Sequence, residues 1–450
     1  MKAPSKRIEL KLAKLTREFF ANHPSVKLIA VTGSAGKTSA KIAIGTLLAQ
    51  TMNIQLRDET PKTRADVFLQ IMGVKLPSDD SMSWHKVLKA VKLRARAEHP
   101  EVQAIVQEFD PQELGYHAWF RDYLLPDITV VTSVTNGRMQ VEYPLEAVAQ
   151  EMITLANNSK LAIINRDDID GQFAGLLTNP NITTYGSSSM AEYSFDEHSF
   201  SLENGSTGII ISPENQQGLP VNLRLYGEYN LRQAVVAAAV CYKLGVPEAS
   251  IVQGIDGLRS LPGRMNMFRG PNGAWLIDDS YSSTPKTALS ALQMLYSFDV
   301  PQRIAVLGNM NGLRGSSEQA HTELGAYCHI DMLDWVVTVG EHANTYLAPA
   351  AHGNGCQIKK CRDSIEAGAF VREKLEEGAM VLFKGSSGGV WLEEAVKLNL
   401  KSPEDEPRLV RQEPAWLERK QDFFTANRMG GDKLTTYNSR YRSEKLGARR

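Results

Sequence analysis

A glycine-rich run between an apolar strand and a helix constrains the fold of this chain more than any other segment. Residues 27–31 are mostly apolar and predict a strand, and residues 40–50 are compatible with a helix. Between them runs Val-Thr-Gly-Ser-Ala-Gly-Lys-Thr-Ser, residues 31–39. Gly33 and Gly36 can adopt backbone angles forbidden to other residues, so the loop can point its N–H groups inward around phosphate oxygens. Strand, loop and helix together predict a nucleotide phosphate site.

Each residue of this loop is a predicted nucleotide contact. The set is Gly33, Ser34, Ala35, Gly36, Lys37, Thr38 and Ser39. We expect Lys37 to reach the β and γ phosphates, and the hydroxyl of Thr38 or Ser39 to hold Mg²⁺. Two residues separate the two glycines, fewer than the four of the usual Walker spacing. A chance glycine-rich turn is the alternative, and the strand–loop–helix context argues against it.

The composition predicts a globular chain of more than one domain. With 450 residues, 42% of them hydrophobic, the chain is long enough for about two to three domains with real cores. Because 50 Lys and Arg nearly balance 51 Asp and Glu, overall charge does not favour nucleic acid or an anionic membrane as a partner. No stretch approaches about 18 uncharged apolar residues and the N-terminus lacks a secretory signal, so we expect no membrane span and a cytoplasmic location. The four cysteines are expected to be reduced thiols.

Apolar runs alternate with helical segments in two series along the chain. The strand candidates are residues 102–106, 128–131, 161–165, 304–307, 335–339 and 380–383. Such alternation predicts mostly parallel sheets covered by helices on both faces, so the expected fold class is α/β. Residues 5–22 predict a lead-in helix, and residues 183–225, rich in Ser, Asn and Gly, predict a small antiparallel elaboration.

A Leu-Pro-Gly-Arg stretch at residues 261–264 indicates a linker. We therefore predict a central nucleotide-binding domain over residues 1–264 and a smaller, Rossmann-like α/β domain over residues 265–400. Residues 401–450 hold 12 Lys and Arg against 8 Asp and Glu and lose the apolar periodicity. This basic tail is expected to be disordered or to fold onto a partner, which would give a homo-oligomer or a complex with another subunit.

Acidic residues follow two of the predicted strands. Glu108 ends one strand and Asp110 follows it; at this edge of a parallel sheet either carboxylate could hold Mg²⁺ beside the loop hydroxyl, or be a solvated loop acid. Asp278 and Asp279 follow the apolar residues 275–277 and precede Ser-Ser-Thr-Pro, a helix start signal. Adjacent acids in this position indicate function.

Three further candidates are weaker one by one. Asn230, in Gly-Glu-Tyr-Asn, opens a predicted helix, and ordinary capping is the alternative. Arg264, after Pro-Gly, predicts a phosphate clamp or a linker salt bridge. Lys384, before Gly-Ser-Ser-Gly-Gly, predicts carboxylate binding together with backbone N–H groups, or a flexible turn.

In this order and at these spacings, the elements resemble the Mur ligases, ATP-dependent amide-forming enzymes of cell-wall synthesis, and their folylpolyglutamate synthase relatives. The resemblance covers residues 25–398. It is carried by the glycine loop, Glu108, residues 164–168, 227–230, 263–264, 277–281 with Pro285, 306–310 with His321, and 384–386. The Asp-Asp-Ser-Tyr, Val-Leu-Gly-Asn-Met and Lys-Gly-Ser elements are most similar to the members that add D-alanyl-D-alanine.

The resemblance implies a reaction. A substrate carboxylate takes the γ-phosphoryl group of ATP to form an acyl phosphate, and an amine then displaces phosphate, so that ADP, phosphate and an amide are released. It implies a small-molecule acid and an amino acid or peptide amine as substrates, with ATP and Mg²⁺. By the same resemblance, Lys37 and Lys384 are catalytic, the metal ligands are Thr38 or Ser39 with Glu108, and the ATP contacts beyond the loop are Asn230, Arg264 and Asp278. The C-terminal domain is expected to close over the site and bring the amine.

The sequence departs from the family pattern in several places. The family's N-terminal domain for the UDP-sugar substrate is not expected in this chain, and a standard UDP-muramoyl substrate is therefore in doubt. Arg138 aligns where a metal-binding His is usual, and Met152 where many members carry a carbamylated lysine. We hypothesise that the Arg138 guanidinium supplies the charge of a second cation and is catalytic. Positions where Asn or Asp is usual hold Ser282, Thr284 and Asn309.

The leading prediction is an ATP-dependent carboxylate–amine ligase that acts on a peptide or a peptide-like metabolite. The alternative is a nucleotide-binding, non-catalytic Mur-like subunit of a complex. A generic ATPase or kinase would explain the glycine loop but not the Asp-Asp-Ser-Tyr and Lys-Gly-Ser elements.

Overall fold

The computed structural model describes residues 4–75, 84–135, 143–169, 171–187 and 189–426. The chain forms two compact units: Met1–Leu261 with Gly312–Arg314, and Pro262–Asn311 with Gly315–Arg450. The break between Leu261 and Pro262 lies inside the Leu-Pro-Gly-Arg stretch. Each unit has its own large sheet and its own apolar core. None of the helices in the described ranges is long and apolar enough to cross a membrane.

The first unit contains a parallel sheet, a small antiparallel sheet and flanking helices. Its strands are β1 (Lys27–Thr32), β2 (Ile54–Leu56), β3 (Ala104–Glu108), β4 (Ile128–Val131), β5 (Leu161–Asn165), β6 (Ile182–Tyr185), β7 (Ser194–Ser201), β8 (Gly205–Ser212) and β9 (Asn215–Leu223). Its helices are α1 (Lys6–Asn22), α2 (Lys37–Leu48), α3 (Arg64–Ile71), α4 (Trp84–Ala95), α5 (Tyr116–Arg121), α6 (Leu145–Asn157), α7 (Gly171–Ala174), α8 (Glu228–Lys243) and α9 (Glu248–Asp256).

The six-stranded sheet of this unit has the order β2-β3-β1-β4-β5-β6, and all its neighbouring strands are parallel. Successive side chains of β1 point to opposite faces. Ile29 and Val31 pack with the apolar residues of α2, α8 and α9, whereas Leu28 and Ala30 pack with those of α1, α3 and α5. A parallel sheet buried on both faces was the prediction, and it is confirmed.

The antiparallel elaboration is smaller and starts later than predicted. Ile182–Tyr185 extends the parallel sheet as β6, and the three-stranded sheet β7-β8-β9 begins at Ser194. Strand β7 was missed because most of its side chains are exposed, so its sequence shows no apolar alternation.

The second unit is a mixed sheet with flanking helices. Its strands are β10 (Asn266–Arg269), β11 (Trp275–Asp279), β12 (Arg303–Gly308), β13 (Trp335–Val339), β14 (Ile358–Cys361) and β15 (Met380–Lys384). Its helices are α10 (Pro285–Tyr296), α11 (Ser317–Ala326), α12 (Ala348–Gly353), α13 (Ser364–Lys374), α14 (Glu393–Asn399) and α15 (Pro414–Ala426).

The order of the second sheet brings three loops that carry family-like sequence elements to one edge. The order is β10-β11-β15-β12-β13-β14, with β10 antiparallel to β11 and the remaining neighbours parallel. Lys384 at the end of β15 stands opposite Asp279 of β11 on one side and Leu307 of β12 on the other. Because carboxyl ends of parallel strands meet at one edge, the loops after β11, β12 and β15 adjoin. The predicted α/β class is confirmed for this unit as well.

The start of the predicted tail packs on the second unit. Leu409 joins the apolar core of that unit, and Phe424 of α15 is buried. The rings of Trp416 and Phe423 lie 5.8 and 6.3 Å from that of Trp391. The expectation of a disordered or partner-bound tail is therefore wrong for residues 401–426, which fold onto their own chain. Residues 427–450 lie outside the described residues.

Candidate functional site

The glycine loop between β1 and α2 has a backbone that only glycine adopts easily. Gly33 and Gly36 have φ angles of +132° and +79°. A Cβ at position 33 would lie 2.3 Å from Thr132 Oγ1 and 2.8 Å from the backbone nitrogen of Ser133. Gly36 precedes the first residue of α2 in the left-handed conformation. The backbone thus turns sharply at the N-terminus of α2, as the sequence predicted.

The loop after β4 holds the glycine loop in place. Ser133 Oγ accepts a hydrogen bond from the Ala35 N–H (2.7 Å) and donates one to the Ala35 carbonyl (3.1 Å). The Ser34 N–H donates to the Ser133 carbonyl (2.9 Å), and Thr132 Oγ1 donates to the Thr32 carbonyl (3.0 Å). Thr132 and Ser133 were not among the predicted site residues, although they follow a predicted strand at the edge where ligands bind.

The ammonium of Lys37 is buried and already compensated. Its side chain is 2% exposed, and Nζ lies 2.6 Å from the Gly33 carbonyl oxygen and 2.8 Å from Asp110 Oδ1. The carbonyl contact folds the side chain back over its own loop. Lys37 therefore places a fixed positive charge beside the Gly33 carbonyl of the glycine loop, with Asp110 as its counter-ion.

Glu108, at the end of β3, forms a second buried ion pair with Lys41, which lies one helical turn beyond Lys37 on α2. Thr38 Oγ1 donates to Glu108 Oε2 (3.1 Å), and Lys41 Nζ lies 3.2 Å from the same oxygen. The side chains of Lys41 and Glu108 are each 1% exposed, and Lys41 also donates to the Asp58 carbonyl (3.2 Å). Lys41 was not among the predicted site residues. Ser39, the other predicted metal ligand, is half-buried on α2.

The oxygen atoms of Thr38 and Glu108 fit a magnesium ion. A hydroxyl and a carboxylate within hydrogen-bond distance are hard oxygen donors, which Mg²⁺ prefers, and this ion usually takes one or two carboxylates with phosphate oxygens and waters. Among the described residues no group of three or more His, Cys, Asp and Glu side chains could hold a metal. These residues alone therefore make only a partial metal site, which phosphate oxygens would complete.

Asn230 lies at the start of α8, a helix that packs against α2. Its side-chain amide donates to the Tyr226 carbonyl (3.1 Å) and contacts Ser260 Oγ (3.4 Å). One turn further on, Gln233 Nε2 would lie 3.3 Å from a Cβ built on Gly36. The start of α8 therefore borders the glycine loop.

Arg232 ties α8 to the end of β5. Its guanidinium pairs with Asp167 (3.0 Å), Asp168 (3.4 Å) and Glu228. Burial alone would lower the pKa of Arg232, but these carboxylates outweigh it and raise the pKa. The residues 164–168 that carry part of the family resemblance thus fix the orientation of α8.

Of the two positions where the family pattern has groups that support a second metal ion, only Met152 lies within the described residues. Arg138 lies outside the described residues. Met152 is buried, with Sδ 3.7 Å from Thr32 Oγ1, and that hydroxyl also contacts His117 Nε2 (3.0 Å). His117 in turn hydrogen-bonds Glu151 through its backbone N–H (2.7 Å). Burial alone would raise the pKa of Glu151, but its hydrogen bonds with His117 lower it, so Glu151 stays ionised.

In the second unit, Lys384 and Ser386 connect the loops at the sheet edge. Lys384 Nζ lies 2.7 Å from Asp279 Oδ2 and donates to the Ser282 carbonyl (2.8 Å), and its side chain is 3% exposed. Ser386 Oγ donates to the Ser283 carbonyl (3.2 Å). The Lys-Gly-Ser element therefore connects the loops after β15 and β11 through side-chain hydrogen bonds.

His321 orders the loop after β12. Its Nε2 accepts the Met310 N–H (2.9 Å), and its Nδ1 lies 2.7 Å from the Ser317 carbonyl oxygen, so the proton is on Nδ1. Burial lowers the pKa of His321, which keeps the ring neutral. In the same loop the Asn309 carbonyl accepts the Ser386 N–H (3.0 Å). The loop after β15 is thus hydrogen-bonded both to the loop after β11 and to the loop after β12.

Asp278 is a fully buried acid at the end of β11. Ser280 donates to Asp278 Oδ1 through its hydroxyl (2.5 Å) and its N–H (3.2 Å), whereas Oδ2 has no hydrogen-bond partner among the described residues. Burial raises the pKa of Asp278 to about 7, the Ser280 hydrogen bonds oppose this, and the charge of Glu393 adds to it. The carboxyl is a strong hydrogen-bond group held without a full set of partners.

Arg264 stacks on the turn that follows Asp278. Its guanidinium carbon lies 4.2 Å from the centre of the Tyr281 ring, and the Tyr281 N–H donates to the Gly263 carbonyl (2.9 Å). Arg264, Asp278 and Lys384 are thus gathered at one edge of the second sheet. Glu108 and the residues of the glycine loop are gathered at one edge of the first.

Two family models match the chain. The model of the Mur ligase middle domain matches residues 31–241, and that of the Mur ligase glutamate ligase domain matches residues 263–387. The UDP-N-acetylmuramoyl-tripeptide–D-alanyl-D-alanine ligase of Bacillus subtilis is 26% identical over 393 residues, which are 84% of this chain and 76% of the relative.

Solved structures show the same fold. A crystal structure of MurF from Acinetobacter baumannii matches with a TM-score of 0.68 at 22% identity, over 86% of this chain and 79% of that one. The MurF ligase of Thermotoga maritima, in complex with ADP, matches with a TM-score of 0.66 at 20% identity, over 88% and 86%.

The family models and the curated relatives therefore identify the class of this protein as an ATP-dependent ligase that forms C–N bonds. The chain belongs to the Mur ligase family. The resemblance predicted from the glycine loop and the Asp-Asp-Ser-Tyr and Lys-Gly-Ser elements is confirmed.

Proposed function

We propose that this chain binds ATP with Mg²⁺ at the glycine loop, activates a substrate carboxylate as an acyl phosphate and joins it to an amine. The arrangement of Lys37, Thr38 and Glu108 around the loop carries this proposal, because it supplies a phosphate-binding backbone, a fixed cation and oxygen donors within one edge of the sheet. Phosphoryl transfer needs mainly positioning and charge neutralisation, which such a site supplies.

The buried cation is the central element of the mechanism. Lys37 is held between the Gly33 carbonyl and Asp110, so its charge is oriented before a nucleotide binds. In the proposed reaction it stabilises the negative charge that develops on the transferred phosphoryl group. Mg²⁺, held by Thr38 and Glu108, would neutralise further phosphate charge.

We propose that the second unit binds ATP and the amine substrate. Asp278 and Arg264 are the proposed nucleotide contacts, because the Asp278 carboxyl is buried with one oxygen lacking a partner among the described residues and the Arg264 guanidinium is stacked on Tyr281, in the turn that follows Asp278. Lys384, with the N–H groups of its loop, is proposed to bind the carboxylate of the amine substrate. The carboxylate of Asp279 holds the Lys384 ammonium in place.

The relatives' names suggest the substrates. Because the Bacillus relative is named for a muramoyl tripeptide and D-alanyl-D-alanine, we propose a peptide-like acid and an amino acid or dipeptide amine. We also propose a cytoplasmic location, since all four cysteines are free and buried and ATP is a substrate. Arg138 remains the proposed charge in place of a second cation, and loss of turnover in Arg138→Ala would support it.

Phosphate release tests the function. With ATP, Mg²⁺, UDP-muramoyl tripeptide or simpler peptides, and D-alanyl-D-alanine or single amino acids, we expect release only when an acid and an amine are both present. Lys37→Met should lose at least about a thousandfold in turnover. Lys160→Met, which removes a half-exposed ammonium paired with Asp127, is the matched control and should keep full turnover. Nucleotide binding without acid-dependent release would contradict the proposal.

A further inference from the structure

The segment that follows the family-matched residues reaches the proposed nucleotide contacts of the second unit. The match to the glutamate ligase domain ends at residue 387, and the chain continues through α14 to a buried arginine, Arg411, which is 5% exposed. The φ angle of Arg411 is +58°, a conformation that costs energy for a residue other than glycine. Such strain persists where the surrounding contacts over-determine the residue.

The guanidinium of Arg411 connects helix α14 to the turn that follows β11. On one side it pairs with the fully buried Glu393, with Nε 2.8 Å from Oε1 and Nη2 2.6 Å from Oε2. On the other side it donates to the backbone carbonyls of Ser280 (2.9 Å) and Tyr281 (3.3 Å). The fixed fork of an arginine can hold a carboxylate and a turn together, whereas the single ammonium of a lysine cannot do so in the same geometry.

The same segment also touches the linker. A Cβ at Gly263 would lie 3.0 Å from Val410 Cγ1 and 2.9 Å from the Tyr281 nitrogen. Tyr281 carries the stacked guanidinium of Arg264 on its ring. Residues 410 and 411 therefore contact both the linker that carries Arg264 and the turn that follows Asp278.

We propose that Arg411 is a positioning residue for the nucleotide. It fixes the backbone of the turn after Asp278 and, through the Tyr281 ring, the direction of the Arg264 guanidinium. Residues 410 and 411 are accordingly part of the nucleotide-binding structure. This inference rests on the proposed function, specifically on ATP contacts by Asp278 and Arg264.

Nucleotide affinity tests the inference. Calorimetric titration of the full chain with ADP and Mg²⁺ is expected to show binding about tenfold or more weaker in Arg411→Met, because the turn loses charge-assisted hydrogen bonds. Arg411→Lys should recover only part of that loss. Arg419→Met removes the same charge from an exposed position on α15 and should bind as the wild type does.

A double variant separates positioning from charge balance. Arg411→Met leaves Glu393 with Lys420, 3.4 Å away, as a remaining cation, and the added Glu393→Gln removes the buried charge itself. We expect the double variant to regain thermal stability over Arg411→Met while its ADP affinity stays low. Wild-type ADP affinity in the double variant, or in Arg411→Met, would overturn this inference and leave the proposed function intact. A wild-type chain that binds no nucleotide would overturn the proposed function and this inference with it.

Discussion

The glycine loop of the first unit and the Asp278 turn of the second compensate their buried charges differently. At the glycine loop each acid has its own cation: Asp110 lies beside Lys37, and Glu108 beside Lys41. At the turn the charges are shared unequally. Glu393 has two cations, whereas Asp278 has the Ser280 hydrogen bonds and one oxygen without a partner in the described part of the chain.

This difference has consequences for stability. One-to-one pairing means that removing a single cation leaves a buried carboxylate largely uncompensated, which is costly. Shared pairing means that one cation can be lost while another remains. An acid without a cation instead shifts its pKa upward, as burial does for Asp278. The glycine loop should therefore be sensitive to single substitutions, and the turn to pH.

Lys41→Met should have the largest effect of the substitutions that test this comparison. It leaves the Thr38 hydroxyl beside a Glu108 that is 1% exposed, so we expect the free energy of unfolding to fall by about 3–5 kcal/mol. Urea unfolding measures this change. A loss below about 1 kcal/mol, as for a surface ion pair, would show that the pairing is not one-to-one.

Asp278→Asn should change the pH dependence of stability. Because the folded pKa of Asp278 is about 7 and its usual value is 3.8, the folded chain holds a proton that the unfolded chain releases, so stability falls as the pH rises through this window. The full loss in the free energy of unfolding across this pH window is at most on the order of 4 kcal/mol.

In Asp278→Asn the side chain at position 278 stays neutral at every pH, so the variant should lack this fall in stability. Thermal midpoints compared with those of the wild type should therefore diverge progressively from about pH 4 to about pH 7 in favour of Asn. Parallel curves would mean that Asp278 is ionised throughout, with compensation that the geometry does not include.

Ser133→Ala tests the support of the glycine loop. It removes two hydrogen bonds with the Ala35 backbone and should cost about 1–2 kcal/mol, most of it in nucleotide affinity. ADP titration measures the loss. Ser159→Ala is a matched control and should keep wild-type affinity, because it removes a buried hydroxyl that follows α6 and bonds the Ala156 and Leu161 carbonyls.

Lys420→Met should have the smallest effect. Glu393 keeps Arg411, with contacts of 2.8 and 2.6 Å, so we expect a loss of about 1 kcal/mol in unfolding free energy. The contrast with Lys41→Met is the direct test of unequal sharing. Equal losses for the two lysines would remove the distinction between the two sites.

Much of the fold and part of the site were predictable because their signals are local. The alternation of apolar runs with helices predicted both sheets, and the loop motif predicted the positions of Gly33, Gly36 and Lys37. Strand β7 was missed because its exposed side chains carry no periodic signal. The tail was misjudged because few of its residues are buried, and those few contact distant elements.

The sequence by itself determined the strand–loop–helix unit at residues 27–48, since glycine conformations, apolar periodicity and the Lys37 contact with Gly33 all act within a few residues. Only the tertiary structure decided which distant groups meet at each sheet edge. Ser133 meets Ala35 across 98 residues, and Arg411 meets Ser280 across 131. Such pairs depend on the order of strands in the sheet, because that order selects the loops that adjoin and so the partner of each buried charge.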